Sequence, residues 1–174
     1  MALRLILTEP NKILREKSLA VEKVDESIQK LMNDMLETMY AAPGIGLAAI
    51  QVGVPKRVIV MDIAPKDEQR NPMYFVNPEI ITKSSNNSTY EEGCLSVPGQ
   101  FAEIERPDKC NIKYLDYYGQ TKELAAEGML ATCIQHEMDH LEGILFIDYL
   151  SKLKKSMIVK KLLKQKAQLD RIVI

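Results

Sequence analysis

Apolar residues recur at helical spacing in three parts of the chain. The first lies between residues 25 and 42, where Asp25 can cap a helix that has one apolar face. Its apolar positions are Ile28, Leu31, Met32, Met35, Leu36 and Met39. A second helix is predicted over residues 128–141, with Gly143 as its stop, and a third over roughly residues 151–169.

Strand-like segments occupy the region between the first two helices. The segment "RVIVMDI" (57–63) indicates a buried strand, and "YFVNPEII" (74–81) indicates a second strand interrupted by Pro78. Residues 110–128 contain two strand-like runs about Gly119, which predicts a hairpin. The order of helix, strands and two further helices predicts a single compact α+β domain with antiparallel or mixed sheets and a C-terminal helix.

The composition is that of an ordinary soluble globular protein, with 46% hydrophobic and 27% charged residues. No apolar run is long enough to span a membrane, and Glu9 and Pro10 interrupt the opening segment too early for a signal peptide. Three cysteines, an odd number without close pairing, argue against a disulfide framework and favour a reducing compartment. We therefore expect a cytoplasmic protein with no membrane partner.

Charge is distributed unevenly along the chain. Residues 151–174 contain eight basic residues and one acidic residue, which gives them a charge of +7, whereas residues 1–150 carry −8. Such a division indicates either a polyanionic partner for the C-terminal segment or a solvated helix face. We expect residues 151–174 to form a basic C-terminal helix of the same domain as residues 1–150.

Both histidines of the chain lie four residues apart in "CIQHEMDHLEG" (133–143). At this spacing His136 and His140 share one helix face and are about 6 Å apart along the axis, so both rings can bind one metal ion. Glu137 flanks this face and is better placed to act as a general base than as a third ligand. Asp139 flanks the other side, either to orient a histidine or as a surface acid. The sheets are therefore expected to pack around a central metal-binding helix.

The third ligand must come from another part of the chain. Cys133 lies about 10.5 Å along the helix axis from His140, whereas two ligands of one tetrahedral metal are only about 3.5 Å apart. Cys110 opens an alternating run and is expected to face the core. The remaining candidates are Cys94, which follows Gly93 and precedes a Ser-Val-Pro-Gly turn, and an unidentified carboxylate.

Three motifs carry a resemblance to a known family. The segments "GIGLAAIQ" (44–51), "EGCLS" (92–96) and "QHEMDH" (135–140) resemble, in order and spacing, the motifs of the peptide deformylases. The resemblance covers nearly the whole chain, including the opening "ILTEPNKILREKS" and the basic C-terminal helix of the bacterial type 1 enzymes. It implies hydrolysis of the N-formyl group from the formylmethionine of nascent polypeptides, with release of formate.

The resemblance also implies roles for individual residues. The implied metal ligands are Cys94, His136 and His140. Glu137 is the implied general acid/base, with a metal-bound water as the nucleophile, and Gln51 and the backbone N–H of Leu95 would hold the oxyanion. A thiolate with two imidazoles suits Zn²⁺, Fe²⁺, Co²⁺ or Ni²⁺. The resemblance implies Fe²⁺ in the cell, with the other ions as substitutes.

Substrate contacts are implied for two of the motifs and for the metal-binding helix. Ile45 and Gly46 are expected to contact the peptide. The expected walls of the methionine side-chain pocket are Ile45, Tyr90, Glu92, Leu95, Met129, Cys133 and His136. Tyr90 and Thr132 stand where family members often carry aliphatic residues, so we expect the pocket to differ in shape. Arg106 could form either a structural salt bridge or a substrate contact.

The resemblance implies N-formylmethionyl peptides as substrates and a monomer that docks on the ribosome through residues 151–174. Other classes of protein share parts of the pattern. A zinc endopeptidase would use a carboxylate or a third histidine instead of Cys94, and a cysteine hydrolase would use Cys94 as its nucleophile. A blue-copper protein needs an axial methionine, but Met138 lies about 200° from His136 around the helix. A structural metal site would need a fourth protein ligand, for which the sequence offers no clear candidate.

Overall fold

The first helix is confirmed in a computed structural model that describes residues 2–172. It is α1 (Glu26–Ala41), and the Asp25 side chain accepts a hydrogen bond from the Ile28 backbone N–H at 3.1 Å. This bond satisfies one of the free amides of the first turn. In residues 2–172 no helix is long and apolar enough to cross a membrane.

Five strands form the larger of two sheets. They are β1 (Gly46–Ala48), β2 (Val58–Met61), β3 (Met73–Lys83), and, later in the chain, β6 (Lys109–Leu115) and β7 (Thr121–Glu127). The spatial order is β1–β2–β3–β6–β7, and every neighbouring pair is antiparallel. Strand β2 is apolar throughout because both faces of the sheet are covered. Val58 and Val60 pack with α1, whereas Ile59 and Met61 join the core cluster on the other face.

The predicted interruption at Pro78 is found in the pairing of β3 with β6, although the strand itself continues through the proline. The sheet accommodates Pro78 through a shift of pairing register between Val76 and Glu79 and a φ of 50° at Asn77. The Asn77 side chain accepts from the backbone N–H of Val21 and donates to its carbonyl, both at 2.8 Å. The irregularity therefore links the sheet to the segment that precedes α1.

A second sheet of two strands is absent from the sequence-based prediction, which places a turn at residues 96–99. Strand β4 (Asn87–Cys94) pairs antiparallel with β5 (Val97–Pro107). Most positions in both strands are polar or exposed, so no alternation of apolar and polar residues marks them. The two strands meet at a tight connection of two residues, which places Cys94 at the end of the sheet.

The predicted hairpin and the second helix are confirmed. Strands β6 and β7 are joined by a turn in which Gly119 has a φ of 81°, and β7 leads directly into α2 (Gly128–Leu141). Gly143 follows α2 with a φ of 73°, and a side chain at this position would collide with the backbone of Arg15. Both the backbone conformation and the close approach therefore require glycine where the helix ends.

The third helix, α3 (Lys152–Ile172), extends slightly further than its sequence pattern indicates. The Leu162 side chain of α3 is buried and belongs to an apolar cluster that contains Val97 of β5 and Phe146. Most lysines of α3 are exposed. The helix is thus attached to the body of the protein along one narrow apolar stripe.

Candidate metal centre

The candidate centre lies on α2, most of which is buried. Nine of its 14 residues are buried because the helix packs against both sheets. His136 and His140 lie on one face of the helix, with ring centroids 5.2 Å apart, as their four-residue spacing predicts. Burial of this face places both imidazoles in the interior of the protein.

Cys94, His136 and His140 bring one donor atom each to a common point. These atoms all lie within 4.8 Å of one another, and Cys94 Sγ is 3.4 Å from His140 Nε2. Cys94 reaches the helix because it ends β4, which packs against α2. A thiolate and two imidazoles in this arrangement fit a divalent metal with a fourth coordination position left for another ligand.

The other two cysteines lie away from this point. Cys133 lines a cavity wall and Cys110 is buried in the core. Burial raises the pKa of both thiols, so neither is suited to supply a thiolate. Met138 packs against the core cluster. Across the described part of the chain, no other group of three His, Cys, Asp or Glu donors converges in this way.

Gln51 is fixed beside the cysteine by hydrogen bonds at both ends of its side-chain amide. Its Oε1 accepts from the Ala48 backbone N–H at 2.9 Å, and its Nε2 donates to Ser96 Oγ at 3.0 Å. The same Nε2 lies 3.5 Å from Cys94 Sγ. Since Gln51 is 1% exposed, its amide is a buried donor held in a fixed direction.

His136 is held by a buried carboxylate. Glu92 Oε1 lies 2.8 Å from His136 Nδ1, so Nε2 is the ring nitrogen that remains to face Cys94 and a metal ion. Arg106 donates two hydrogen bonds to Glu92, at 2.7 and 2.9 Å, and a third to Asp139 at 2.8 Å. Arg106 is 4% exposed and does not line the cavity at the donor set. It therefore forms the structural salt bridge rather than the substrate contact.

The two histidines differ in their electrostatic surroundings. Burial lowers the pKa of His140 well below its ordinary value, and the neighbouring His136 and Arg106 lower it further. Burial also acts to lower the pKa of His136, but hydrogen bonding to Cys94 and Glu92 raises it well above the ordinary value. The negative groups around His136 thus favour a positive charge at this point, which a metal ion would supply.

Glu137 is buried beside the donors and has an oxygen atom available. In residues 2–172 its Oε2 finds no hydrogen-bond partner. Burial raises the pKa of Glu137 to about 7, with His136 opposing the shift and Glu92 adding to it. Gly46 of β1 makes room for this carboxylate, because a Cβ at residue 46 would lie 2.5 Å from Glu137 Oε1. A carboxylate in these surroundings can exchange protons near neutral pH.

A cavity of about 420 Å³ opens onto the donor set. The residues that sequence reasoning placed around the substrate all line it: Ile45, Gly46, Gln51, Tyr90, Glu92, Leu95, Met129, Cys133 and His136. Sequence reasoning missed Pro98 and Phe101, which enter the wall from β5. Only the pairing of β4 with β5 brings them to the cavity, and the local sequence gives no sign of that pairing.

The chain is similar to proteins of one known family. A family model described as polypeptide deformylase matches residues 3–156. The peptide deformylase of Pelagibacter ubique (strain HTCC1062) is 65% identical over 174 residues, which is 100% of both chains. That of Maricaulis maris (strain MCS10) is 61% identical over 171 residues, which is 98% of each chain.

Solved structures agree with the sequence relatives. The crystal structure of peptide deformylase from Ehrlichia chaffeensis in complex with actinonin has a TM-score of 0.91 and 46% identity, covering 95% of this chain and 98% of that one. The peptide deformylase from Legionella pneumophila has a TM-score of 0.90 and 46% identity, covering 98% and 99%. The predicted α+β fold, with a C-terminal helix, is therefore confirmed.

Proposed function

The chain belongs to the polypeptide deformylase family, and we propose that it removes the N-formyl group from the formylmethionine of nascent polypeptides by metal-dependent hydrolysis. Membership makes it an enzyme of the deformylase class. One observation carries the proposed chemistry: Cys94, His136 and His140 converge at a cavity, beside a Glu137 oxygen that has no hydrogen-bond partner within residues 2–172. Three protein ligands with a fourth position free are typical of a catalytic rather than a structural metal.

We assign the metal to Cys94, His136 and His140, with Fe²⁺ as the native ion and Zn²⁺, Ni²⁺ or Co²⁺ as substitutes. All four ions suit a thiolate combined with two imidazoles. When bound, such an ion supplies a Lewis acid and lowers the pKa of water to near 7, which makes a nucleophile available at neutral pH. The thiolate is the only negatively charged ligand in the set, so a divalent ion keeps net positive charge toward the substrate.

The formyl oxygen gains negative charge during hydrolysis and needs fixed hydrogen-bond donors. Gln51 is suited to this task because Ala48 and Ser96 already hold its amide in place. The backbone N–H of Leu95, which follows the ligand Cys94, is the second proposed donor. One preorganised donor of this kind typically contributes about 2.7–4 kcal/mol to transition-state stabilisation.

Glu137 is the proposed general acid/base. Its pKa of about 7 lets it take a proton from the attacking water and return it to the leaving amine at neutral pH. Its position depends on Gly46, which also belongs to the edge strand β1. The free side of an edge strand can pair with an extended peptide, so Ile45 and Gly46 are proposed to align the substrate there.

The methionine side chain is proposed to enter the cavity between β4 and α2. The walls there include Tyr90 and Glu92 from β4 and Met129 and Cys133 from α2. The cavity surface is mainly apolar, as a thioether side chain requires. Tyr90 and Thr132, which each carry a hydroxyl group, are also among the residues that line this cavity.

The test is formate release from a formyl-Met-Ala-Ser peptide, with bound metal quantified in the same sample of protein purified without oxygen. Glu137→Gln should lower kcat by about 10²- to 10⁴-fold while the metal is retained. Glu127→Gln is the matched control, because Glu127 is an exposed acid at the start of the same helix. Metal bound by the protein with no formate released would refute the proposed reaction. Unchanged activity in Glu137→Gln would refute the role of that residue.

The basic C-terminal helix is proposed to bind ribosomal RNA, which would place a cytoplasmic, monomeric enzyme beside its substrates. The support is the charge of +7 on residues 151–174 together with the exposure of most lysines of α3. Lysines that neutralise RNA phosphates release counterions, so this binding should weaken steeply as salt concentration rises.

Substitution of four exposed α3 lysines by Gln tests the ribosome proposal while the apolar stripe stays intact. These lysines are Lys160, Lys161, Lys164 and Lys166. Co-sedimentation with ribosomes at low salt should be lost, and activity on the short peptide should not change. The matched control replaces Lys66, Lys109, Lys113 and Lys122, which are exposed elsewhere on the surface. Equal sedimentation of the two variants would refute the assignment.

A further inference from the structure

A chain of polar contacts starts outside the substrate cavity, at the half-exposed residue Tyr149. Its hydroxyl donates to Asp139 Oδ2 at 2.7 Å, and Arg106 Nη1 donates to the same oxygen at 2.8 Å. The Arg106 guanidinium also lies over the Tyr149 ring, 4.9 Å from its centroid. All three residues line a separate cavity of about 350 Å³ and none of them lines the substrate cavity.

The same guanidinium continues the chain into the interior. Arg106 Nε and Nη2 donate to the two oxygens of Glu92 at 2.7 and 2.9 Å, and Glu92 Oε1 lies 2.8 Å from His136 Nδ1. Glu92 and Arg106 are 6% and 4% exposed. An Arg–carboxylate pair with two parallel bonds has a fixed plane, so the position of Arg106 determines the position of Glu92.

From these contacts we infer that Asp139 and Tyr149 are positioning residues, which orient the ligand His136 toward the metal through Arg106 and Glu92. This inference rests on the proposed metal site. It assigns an effect on that site to two residues that lie outside the substrate cavity. Asp139 holds the end of Arg106 that Glu92 does not. It also balances part of the guanidinium charge, which leaves Glu92 the stronger acceptor for the His136 N–H.

The effect should be confined to one of the two histidines. In residues 2–172 His140 Nδ1 has no hydrogen-bond partner, so the orientation of His140 depends on packing alone. His136 instead has a specific partner, Glu92, which accepts two hydrogen bonds from Arg106, and Arg106 donates a third to Asp139. Loosening this network should therefore change one metal–ligand contact and leave the other two in place.

Metal affinity measured by competition with a chelator provides the test, with Co²⁺ as the probe because its absorption bands report ligand geometry. Asp139→Asn should weaken Co²⁺ binding by about 3- to 10-fold and shift the bands. The basis for this magnitude is that direct partners of metal ligands cost about 10- to 100-fold, and Asp139 is further from the metal. Glu142→Gln is the matched control, since Glu142 caps the same helix but pairs with Lys17 and Arg57.

Tyr149→Phe separates the hydroxyl from the aromatic ring. The ring remains under Arg106, and only the bond to Asp139 is lost, so affinity should fall by about 2- to 3-fold. This change is at a half-exposed residue and does not threaten folding. If neither Tyr149→Phe nor Asp139→Asn alters Co²⁺ affinity or its spectrum, the inference is wrong.

A double-mutant cycle with Glu92→Ala distinguishes a relay from independent structural effects. Since Glu92→Ala removes the acceptor that joins Arg106 to His136, adding Asp139→Asn should cause no further loss of affinity. Losses that multiply instead would show that Asp139 acts by another route and would overturn the inference. If the unmodified protein itself binds no Co²⁺ tightly, the proposed metal site fails, which is a different outcome from failure of the relay.

Discussion

Helices α2 and α3 differ in the burial of their ionisable side chains. On α2 the side chains of His136, Glu137 and His140 are buried, and each faces other ionisable groups at short range. On α3 the lysines are mostly exposed, and Leu162 is the one buried residue up to residue 171. Charges in an interior interact several times more strongly than charges in water.

This difference in burial predicts that single charges on the two helices differ in their effect. A buried charge has a defined position among fixed neighbours, so those neighbours set its protonation and reactivity. An exposed charge is screened within about 8–10 Å at physiological ionic strength and acts mainly as part of a surface field. A change of one charge should therefore have a large effect on α2 and a small effect on α3.

The largest expected effect is on the free energy of unfolding. It is measured by replacing one acid with its amide on each helix. The pKa of Glu137 is raised from 4.5 to about 7, so the metal-free folded state binds this proton more tightly than the unfolded state does. The resulting stabilisation is full below about pH 4.5 and is lost as pH rises through about 7. Glu137→Gln should therefore make the metal-free protein about 3 kcal/mol more stable at pH 8.

Urea unfolding of metal-free protein at pH 5 and pH 8 measures this difference. The advantage of Glu137→Gln should shrink toward pH 5. Asp170→Asn on α3 is the control, and it should show no pH-dependent change because Asp170 is exposed. If both variants changed the free energy of unfolding with the same pH dependence, burial would not be the cause of the difference between the two helices.

A slightly smaller effect is expected from crowding α2 at its contact with β1. Gly46→Ala would place a methyl group against the Glu137 carboxylate and displace it. Misplacing a catalytic group by about 1 Å can cost about 100-fold in rate, so kcat for formate release should fall by about that factor. Bound metal should be retained, because the three atoms nearest the added methyl group all belong to Glu137, which is not a proposed ligand.

The control for this prediction is a cycle with Glu137→Asp, whose shorter side chain leaves room for the methyl group. In that background Gly46→Ala should cause little further loss of kcat. A loss of the full 100-fold in both backgrounds would show that the glycine matters for some reason other than space for Glu137.

The smallest of the three effects concerns two adjacent leucines of α3. Leu162 is 5% exposed and packs in a cluster, whereas Leu163 is 47% exposed. Leu162→Ala should lower the free energy of unfolding by about 2 kcal/mol, the lower end of the range for buried leucines. Leu163→Ala should change it by less than about 0.5 kcal/mol. Equal values from urea unfolding would contradict the single-stripe attachment of α3.

The positions of the helices and part of the candidate site can be predicted from local sequence. The helical spacing of apolar residues locates all three helices, and the N-cap Asp25 and the stop at Gly143 locate two of their ends. Distance along the helix axis is enough to exclude Cys133 as a ligand that shares a metal with both histidines. These inferences succeed because they depend on residues that are close together in the chain.

What cannot be predicted depends on contacts between distant segments. The pairing of β4 with β5 has no apolar alternation to reveal it, so the sequence does not place Phe101 in the cavity wall. The salt bridge of Arg106 joins β5 to β4 and α2, and the sequence leaves its role open between two alternatives. The interruption at Pro78 is predicted from sequence, but the register shift near Asn77 that lets β3 continue past it is a property of the sheet.

The attachment of α3 through Leu162 also sets a length scale. Residues 163–172 continue the helix for about 15 Å at 1.5 Å per residue. If the lysines of this segment meet a partner, the helix acts as a spacer that fixes the distance between that partner and the body of the enzyme. Removing one turn beyond Leu162 would bring the two surfaces about 5.4 Å closer without altering a catalytic contact.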